Sequence, residues 1–514
     1  MRKKILLLLL FTAVLAPLFA QMEITWGVPQ KEPHKTYTSE VLGESDGYLY
    51  SVRSVYSIWG PRNPFIERYR MSDMSLDYSK ELALDAGDKA RSEEGIFLCG
   101  NTVVVFASYY DKDRSMNVLQ GEVLDDHCVA KTQWKEIARI DASKKANPGS
   151  FYLGLGQDSV HFLIVINPPY DKYANEKFRL DYLRTDLSPE WEKEIVPPYQ
   201  DQYFSLTNFI ASETGDVYML ATISKDKSVM TKKERRTQPT YYHTVLMYSA
   251  ASDSLREYKV SIDPKFISDI RMTVNDSGDI ICSGFYSNKS SNAIVGTFYL
   301  RIDRKTSQVS SIGTKDFDQD FLTQFMSAKK ASEGKELYDY DLKHLVLRDD
   351  GGAVLVAEQY YEVLVQTYDP ATKMYSYTYY YYYNDIIVIS IDSSGAISWA
   401  KKIPKYQVSR NDGGYYSSFA FAVSGDRMYF MFNDSPRNTG QEDSRHIHAM
   451  NNPRKSVAVL VTMDSKGNID RQAMFSNRDL KIVLRPKLFM QFNEHRMLLY
   501  GEKGSTFKFA DVRM

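Results

Sequence analysis

Cysteine is scarce: the chain has three in 514 residues, Cys99, Cys128 and Cys282. Three cannot build a disulfide framework. Cys99 and Cys282 sit in apolar strand-like stretches, IFLCG and IICSG, which suit buried unpaired thiols. Net charge is nearly absent too, at −1, which removes any global electrostatic argument for nucleic acid or an anionic membrane. Beyond Ala20 no stretch is long and apolar enough to span a bilayer, so no transmembrane segment is expected in the mature chain. Also missing are the GxSxG nucleophile turn, HExxH, a phosphate loop and a Cys/His metal cluster. No cofactor is therefore expected, and no catalytic residue can be named.

What is present begins with MRKKILLLLLFTAVLAPLFAQ. Arg2, Lys3 and Lys4 precede an apolar run and a small-residue cleavage region, the order of a secretory signal peptide cut after Ala20. Residues 1–20 are thus read as a leader and 21–514 as a single exported domain, periplasmic or extracellular. Tyrosine is abundant, at 38 residues. Few segments show a helical period, and aromatic and β-branched residues dominate, so the chain reads as all-β.

Two kinds of hairpin alternate. The first is apolar strand, acidic-Gly turn, apolar strand, starting at Val41, Ile96, Leu153, Phe209, Met272, Leu345, Phe421 and Met490. Asp-Gly and Gly-Asp turns supply the positive φ that a tight hairpin needs. The second kind follows each first one, from Ile66, Val118, Phe178, Thr244, Thr297, Ile386 and Val457. An eighth second hairpin lacks its last strand, because the chain stops at FKFADVRM. The unpaired stretch Glu23 to Val28, EITWGV, is expected to supply it. Its Trp26 matches Trp134, Trp191 and Trp399, which each begin the last strand of a unit. Two hairpins make a four-stranded sheet, and eight such sheets read as a β-propeller closed by the N-terminal strand. Seven blades, or two β-sandwiches, are the competing architectures.

Ile386 to Ile403 is the fullest copy, with Asp392, Gly395 and Trp399 in D-x-x-G-x-x-x-W spacing. Asp464 and Gly467 repeat it, with Arg471 at the Trp position. In this respect the chain resembles secreted bacterial β-propeller repeat proteins. That resemblance covers most of the mature chain and implies fold, not activity. Sialidase Asp-boxes place their Gly and Trp earlier, and quinoprotein-type docking motifs carry a Thr absent here.

The long insertions fall between the two hairpins of a unit or between units: 167–177, 224–240, 317–339, 361–385 and 434–456. In a propeller those connections share one face, and binding residues favour loops on a rigid scaffold. Three insertions have distinct chemistry. In 361–385 a turn at Asp369-Pro370 separates two β-forming flanks. Tyr375, Tyr377, Tyr379, Tyr381 and Tyr383 would line one face of this projecting hairpin at period two, a surface suited to protein or carbohydrate. Packing of that face on a neighbouring insertion is the competing reading. The second insertion carries Lys232, Lys233, Arg235 and Arg236, read as an anion contact or a solvated loop. The third holds His446 and His448, whose H-x-H spacing allows two metal ligands but offers no third. Phe321, Leu322, Phe325 and Met326 give 317–331 a helical apolar face.

The function expected is a non-catalytic binding or scaffold protein of the cell envelope, recognising a protein or glycan through the long-loop face. The alternative is a propeller glycoside hydrolase or lyase with carboxylates and Tyr at the central channel. A convergent set of Asp or Glu with Tyr and Arg at the channel mouth would favour the enzyme.

Overall fold

The computed structural model describes residues 22–514, apart from 58–61, 87–88, 263, 307 and 441–446. The leader expected at residues 1–20 lies outside the described residues. Among them the fold is all-β. Six sheets have four strands and two have five, all antiparallel along their main order, and two short ribbons complete the set. The first sheet runs Thr36–Ser45, Tyr48–Val55, Phe65–Arg70, Leu76–Glu81 in simple up-and-down order. The next six sheets repeat that order over 92–141, 150–195, 204–260, 266–316, 340–403 and 420–476.

The eighth sheet differs. Its strands Val483–Asn493, Arg496–Lys503 and Thr506–Arg513 end the chain, and Glu23–Trp26 is its outer strand, with Glu23 opposite Arg513 and Trp26 opposite Ala510. Trp26 therefore ends its strand, where the repeat placed it at the beginning. Pro29 explains the break, since it has no N–H for the ladder. Pairing resumes at Gln30–Lys31. Trp191 and Trp399 do lie early in their outer strands, Pro189–Ile195 and Ile397–Ile403, and Trp134 directly precedes Lys135–Asp141.

The strands alternate in side-chain direction, yet both faces of each sheet are apolar. The core is consequently divided into layers between successive sheets. One layer joins Tyr50, Val52 and Ile66 of the first sheet to Val103 and Val105 of the second. Equivalent layers follow around the chain, and the last joins Leu498, Tyr500, Phe507 and Phe509 of the eighth sheet to Val41, Leu49 and Tyr69 of the first. Polar ties cross the same seam: Arg485 donates to the Thr38 carbonyl at 2.7 Å, and Arg496 meets Glu44 at 2.8 Å.

The Asp-Gly turns are built as the sequence suggests. Asp392 accepts from the backbone N–H groups of Ser394 (2.9 Å) and Ala396 (3.0 Å), and Gly395 takes φ +87°. Asp464 and Gly467 reproduce this one sheet on. The spacing to Trp also acquires a reason. The Trp399 indole N–H donates to the Ser465 carbonyl (2.9 Å), inside the Asp464 turn of the next sheet. A Cβ on Gly467 would stand 2.9 Å from the Trp399 ring. Arg471, at the next Trp position, instead reaches back to the Pro404 carbonyl (2.9 Å) and to Asp434.

All five insertions leave the same edge of their sheets, as the alternation of up and down strands requires. The 317–339 insertion forms two short helices, Gln319–Leu322 and Ala328–Ser332, where one apolar helical run was expected. Phe317, Phe321, Leu322 and Ala331 do enter the layer between the fifth and sixth sheets. A further single turn of helix, Glu234–Thr237, lies in the basic insertion.

Deleting residues 23–28 removes the outer strand of the eighth sheet and the Trp26 contact with Phe475 (5.5 Å between rings). The truncated protein is expected to melt well below the full-length form in a thermal unfolding scan. Equal melting would show that this strand adds nothing to the sheet.

Candidate functional site

The largest departure from the repeat is in the sixth sheet. Its second and third strands, Ala353–Asp369 and Met374–Ile391, run far past their neighbours and form a two-stranded arm on the long-loop edge. The tip closes as Asp369 accepts from the Ala371 N–H (2.9 Å) and the Thr372 hydroxyl (2.8 Å). One face of the arm pairs Tyr375 with Tyr368, Tyr377 with Gln366, Tyr379 with Leu364 and Tyr381 with Glu362. Tyr375, Tyr377 and Tyr379 are 57%, 55% and 44% exposed. Val363 and Val365, across from Tyr380 and Thr378, leave the opposite face apolar and exposed as well. Among the described residues, the tip side chains on both faces are thus largely open to solvent.

The base of the arm is different. Gln407–Arg410 adds a strand against Tyr380–Tyr383, an element no sequence pattern announced. Tyr381 is half-buried there. Tyr383 is only 6% exposed, its ring held between Tyr360 (4.7 Å) and the backbone of Gly414, where a Cβ would collide at 2.2 Å. Tyr383 thus anchors the arm and is not part of its open row, because a strand rooted in a sheet must pass through the core edge.

Beside this base lies a cavity of about 870 Å³. Gln359, Tyr361, Asn384, Asp385, Lys402 and Tyr406 line one side, and Phe325 and Met326 of the helical insertion the other. Lys402 pairs with Asp385 at 3.0 Å and covers the Phe325 ring at 4.9 Å. Burial pushes the Asp385 carboxyl above its ordinary range, with Lys402 opposing. Asn384 donates to Gln359 Oε1 (3.1 Å), while its own Oδ1 is buried without a partner. Amides, tyrosine rings and an ion pair along one lining are the equipment for binding a hydroxyl-rich or amide-bearing ligand.

Beneath the arm is a buried ion pair. Lys405 Nζ lies 2.7 Å from Glu358 Oε1, and neither side chain is exposed. Lys405 also donates to the Tyr383 carbonyl (2.9 Å) and Gln407 Oε1 (3.2 Å), and the Ser418 hydroxyl donates to Glu358 Oε2 (2.7 Å). Burial draws the lysine below its usual range, against the pull of Glu358. Gln407 continues the web to the Asn433 carbonyl (2.8 Å), and Asn433 to Leu484 (2.7 Å), tying the sixth, seventh and eighth sheets together below the site.

A second polar cluster sits where the eighth sheet meets the first. Glu502 accepts from the phenols of Tyr415 (3.3 Å), Tyr416 (3.0 Å) and Tyr500 (3.1 Å). Arg53 pairs with Glu32 and with Glu67 (2.7 Å), and the Tyr69 phenol donates to Glu67 (2.5 Å). Glu, Tyr and Arg do converge here, as an enzyme would need. However, these carboxylates are already engaged, Glu502 by three phenols and Glu32 and Glu67 by Arg53.

The other sequence candidates are scattered. Lys232, Lys233 and Arg235 are exposed on the connection of the fourth sheet, away from the cavity lining, with Arg235 Nε donating to the Met230 carbonyl (3.2 Å). The side chain of Arg236 is not among those described, and His446 lies outside the described residues. His448 is exposed, with its backbone held by Asn438 at 2.7 and 2.9 Å. Among the described residues, Asp125, Asp126 and His127 bring ligand atoms together. They are already used, Asp125 on the His127 and Val129 N–H groups and Asp126 on Arg68 (3.1 Å). All three cysteines are buried and unpaired. Among the described residues no helix is long and apolar enough to cross a membrane.

No family model matches the chain, and no curated protein matches it significantly. Solved structures similar to it include the β-propeller domain of the Trilobed protease from Pyrococcus furiosus, at 10% identity and TM-score 0.37, covering 87% of this chain and 97% of that one. A europium-containing methanol dehydrogenase gives 9% identity and TM-score 0.42 over 94% and 85% of the two chains. The polysaccharide lyase Uly1 gives 9% and 0.37 over 93% and 99%. At these identities and TM-scores the likenesses carry no argument about activity.

Two outcomes follow from the site. Lys405→Met leaves Glu358 buried without its cation and is expected to cost about 3–5 kcal/mol, read by chemical denaturation. The double variant with Glu358→Leu should recover much of that loss. Glu176, in the 167–177 insertion, is raised to about 7 by burial and then by Asp201. Its folded pKa exceeds its unfolded value, so its contribution to stability is full below about pH 4.5 and is lost as pH rises through 7. Glu176→Gln should therefore gain melting temperature over the parent at pH 8 and lose that advantage at pH 4.

Proposed function

We propose that residues 21–514 form one eight-bladed β-propeller, closed by its N-terminal strand and exported by the leader at 1–20. We read it as a non-catalytic binding or scaffold protein of the cell envelope, which recognises a protein or glycan through its long-loop face. The layer between the eighth and first sheets, with Glu23–Trp26 as the last outer strand, supports the closure. The arm carries the functional reading. Two strands that could have ended at the sheet edge instead extend into solvent with tyrosine, leucine and valine on both faces. Exposed apolar surface costs solubility and marks contact sites, and tyrosine contributes contact area at little entropic cost.

The hydrolase half of the alternative has less support than the binding reading. A glycosidase needs two carboxylates free to face the sugar, whereas Glu502, Glu32 and Glu67 are held by phenols and by Arg53.

The deciding experiment is affinity capture from envelope extract with the mature protein and with a form whose residues 362–379 are replaced by a short turn. A ligand retained by the first and lost by the second is the expected result. Identical capture profiles would remove the arm from the binding surface.

A further inference from the structure

The cavity beside the arm is walled by two elements that the repeat does not dictate. Phe325 and Met326 stand on the loop between the two short helices of 317–339, and Gln359, Tyr361 and Asp385 on the base of the arm. The helical wall is fixed in place. The Asp318 carboxylate caps one helix at the Phe321 N–H (2.7 Å), and the Ser327 hydroxyl caps the next at the Lys330 N–H (3.4 Å). The Phe325 ring meets Phe321 edge-on at 5.1 Å. The arm wall is fixed as well: Tyr361 stacks on Tyr382 at 4.6 Å, and Gln359 donates to the Tyr338 carbonyl (3.1 Å). Walls held before a ligand arrives lose little freedom on binding.

Lys402 joins the two walls. Its Nζ donates to the Gln324 carbonyl (3.2 Å) and to Asp385 (3.0 Å), and lies 4.9 Å from the Phe325 ring centre. Asp385 also accepts from the Lys405 N–H (3.2 Å). An ammonium has three N–H groups and a carboxylate about four acceptor positions, so donor and acceptor capacity remains on both partners. Their side chains are 10% and 18% exposed, and both line the cavity. The charges of the lining cancel, Lys402 against Asp385 and Lys405 against Glu358 behind it. No surplus charge is left to hold an anion or a cation. A donor, an acceptor and an apolar ring thus stand side by side.

We infer that this cavity binds a neutral saccharide through an acetamido group. The Asp385 carboxylate accepts the amide N–H, Lys402 donates to the amide carbonyl, and the methyl group lies on Phe325 and Met326. The sugar ring packs on Tyr361 and Tyr406, because tyrosine joins an apolar face to a hydroxyl. A volume of about 870 Å³ is in the range of small-molecule sites. This rests on the long-loop face being the binding face, but not on the arm tip.

Calorimetric titration of the mature protein with tri-N-acetylchitotriose, cellotriose and trigalacturonate tests it. Tri-N-acetylchitotriose is expected to bind. Cellotriose lacks the amide and the methyl and should bind roughly tenfold weaker or worse, and trigalacturonate should not bind. Lys402→Met should weaken tri-N-acetylchitotriose roughly tenfold or more. Ala328 is exposed on the cavity lining, so Ala328→Trp should block the site at an unchanged melting temperature, and it decides the matter if the Lys402 variant melts early. The form shortened at 362–379 should still bind the trisaccharide, whatever its capture profile. No binding of tri-N-acetylchitotriose, equal binding of cellotriose or trigalacturonate, full binding by the Ala328 variant, or loss of binding with the arm tip would each overturn the inference.

Discussion

Every sheet in this protein has two apolar faces, and that is the constraint on which the rest depends. A four-stranded sheet cannot hide both faces by itself. Each here is covered by the sheet before and the sheet after, and the eighth is covered by the first. Burial is worth roughly 25 cal/mol per Å² of apolar surface, so the inter-sheet layers supply the main driving force, and no sheet is complete without its neighbours. The edges then matter little to stability, which is what allows the insertions to vary in length and content.

The Asp-Gly turns hold the layers in register. A carboxylate fixes the turn, a glycine with positive φ lets the backbone close, and in the sixth and seventh sheets an indole N–H from one unit reaches the turn of the next. The spacing of D-x-x-G-x-x-x-W is thus an inter-sheet contact written into a local motif. Where Trp gives way to Arg471, the guanidinium makes a different tie to the preceding unit.

The face opposite the tight turns spends stability on polarity. Burying Glu358 with Lys405 gains little over an apolar pair of the same shape, and either partner alone would be costly. Its consequence is positional: the pair fixes the Tyr383 backbone, Ser418 and Gln407, from which the arm, the added strand Gln407–Arg410 and the 411–416 link depart. Arm and cavity therefore share one rigid root.

The sequence by itself determined the strands, their pairing in hairpins and the edge from which the insertions leave. Period-two patterning and turn chemistry are local properties, carried by residues a few positions apart. It also marked the arm, through two β-forming flanks around Asp369-Pro370 with tyrosine at alternate positions of the second. It could not mark Glu358 against Lys405, or Lys487 against Tyr383, which are 104 positions apart. Nor did it show that Tyr383 would be buried while Tyr375 stands in solvent, or that Trp26 would end a strand interrupted by Pro29. Those outcomes depend on which sheets the layers bring together. Only the tertiary structure decides them, because contact between distant residues leaves no period in the chain.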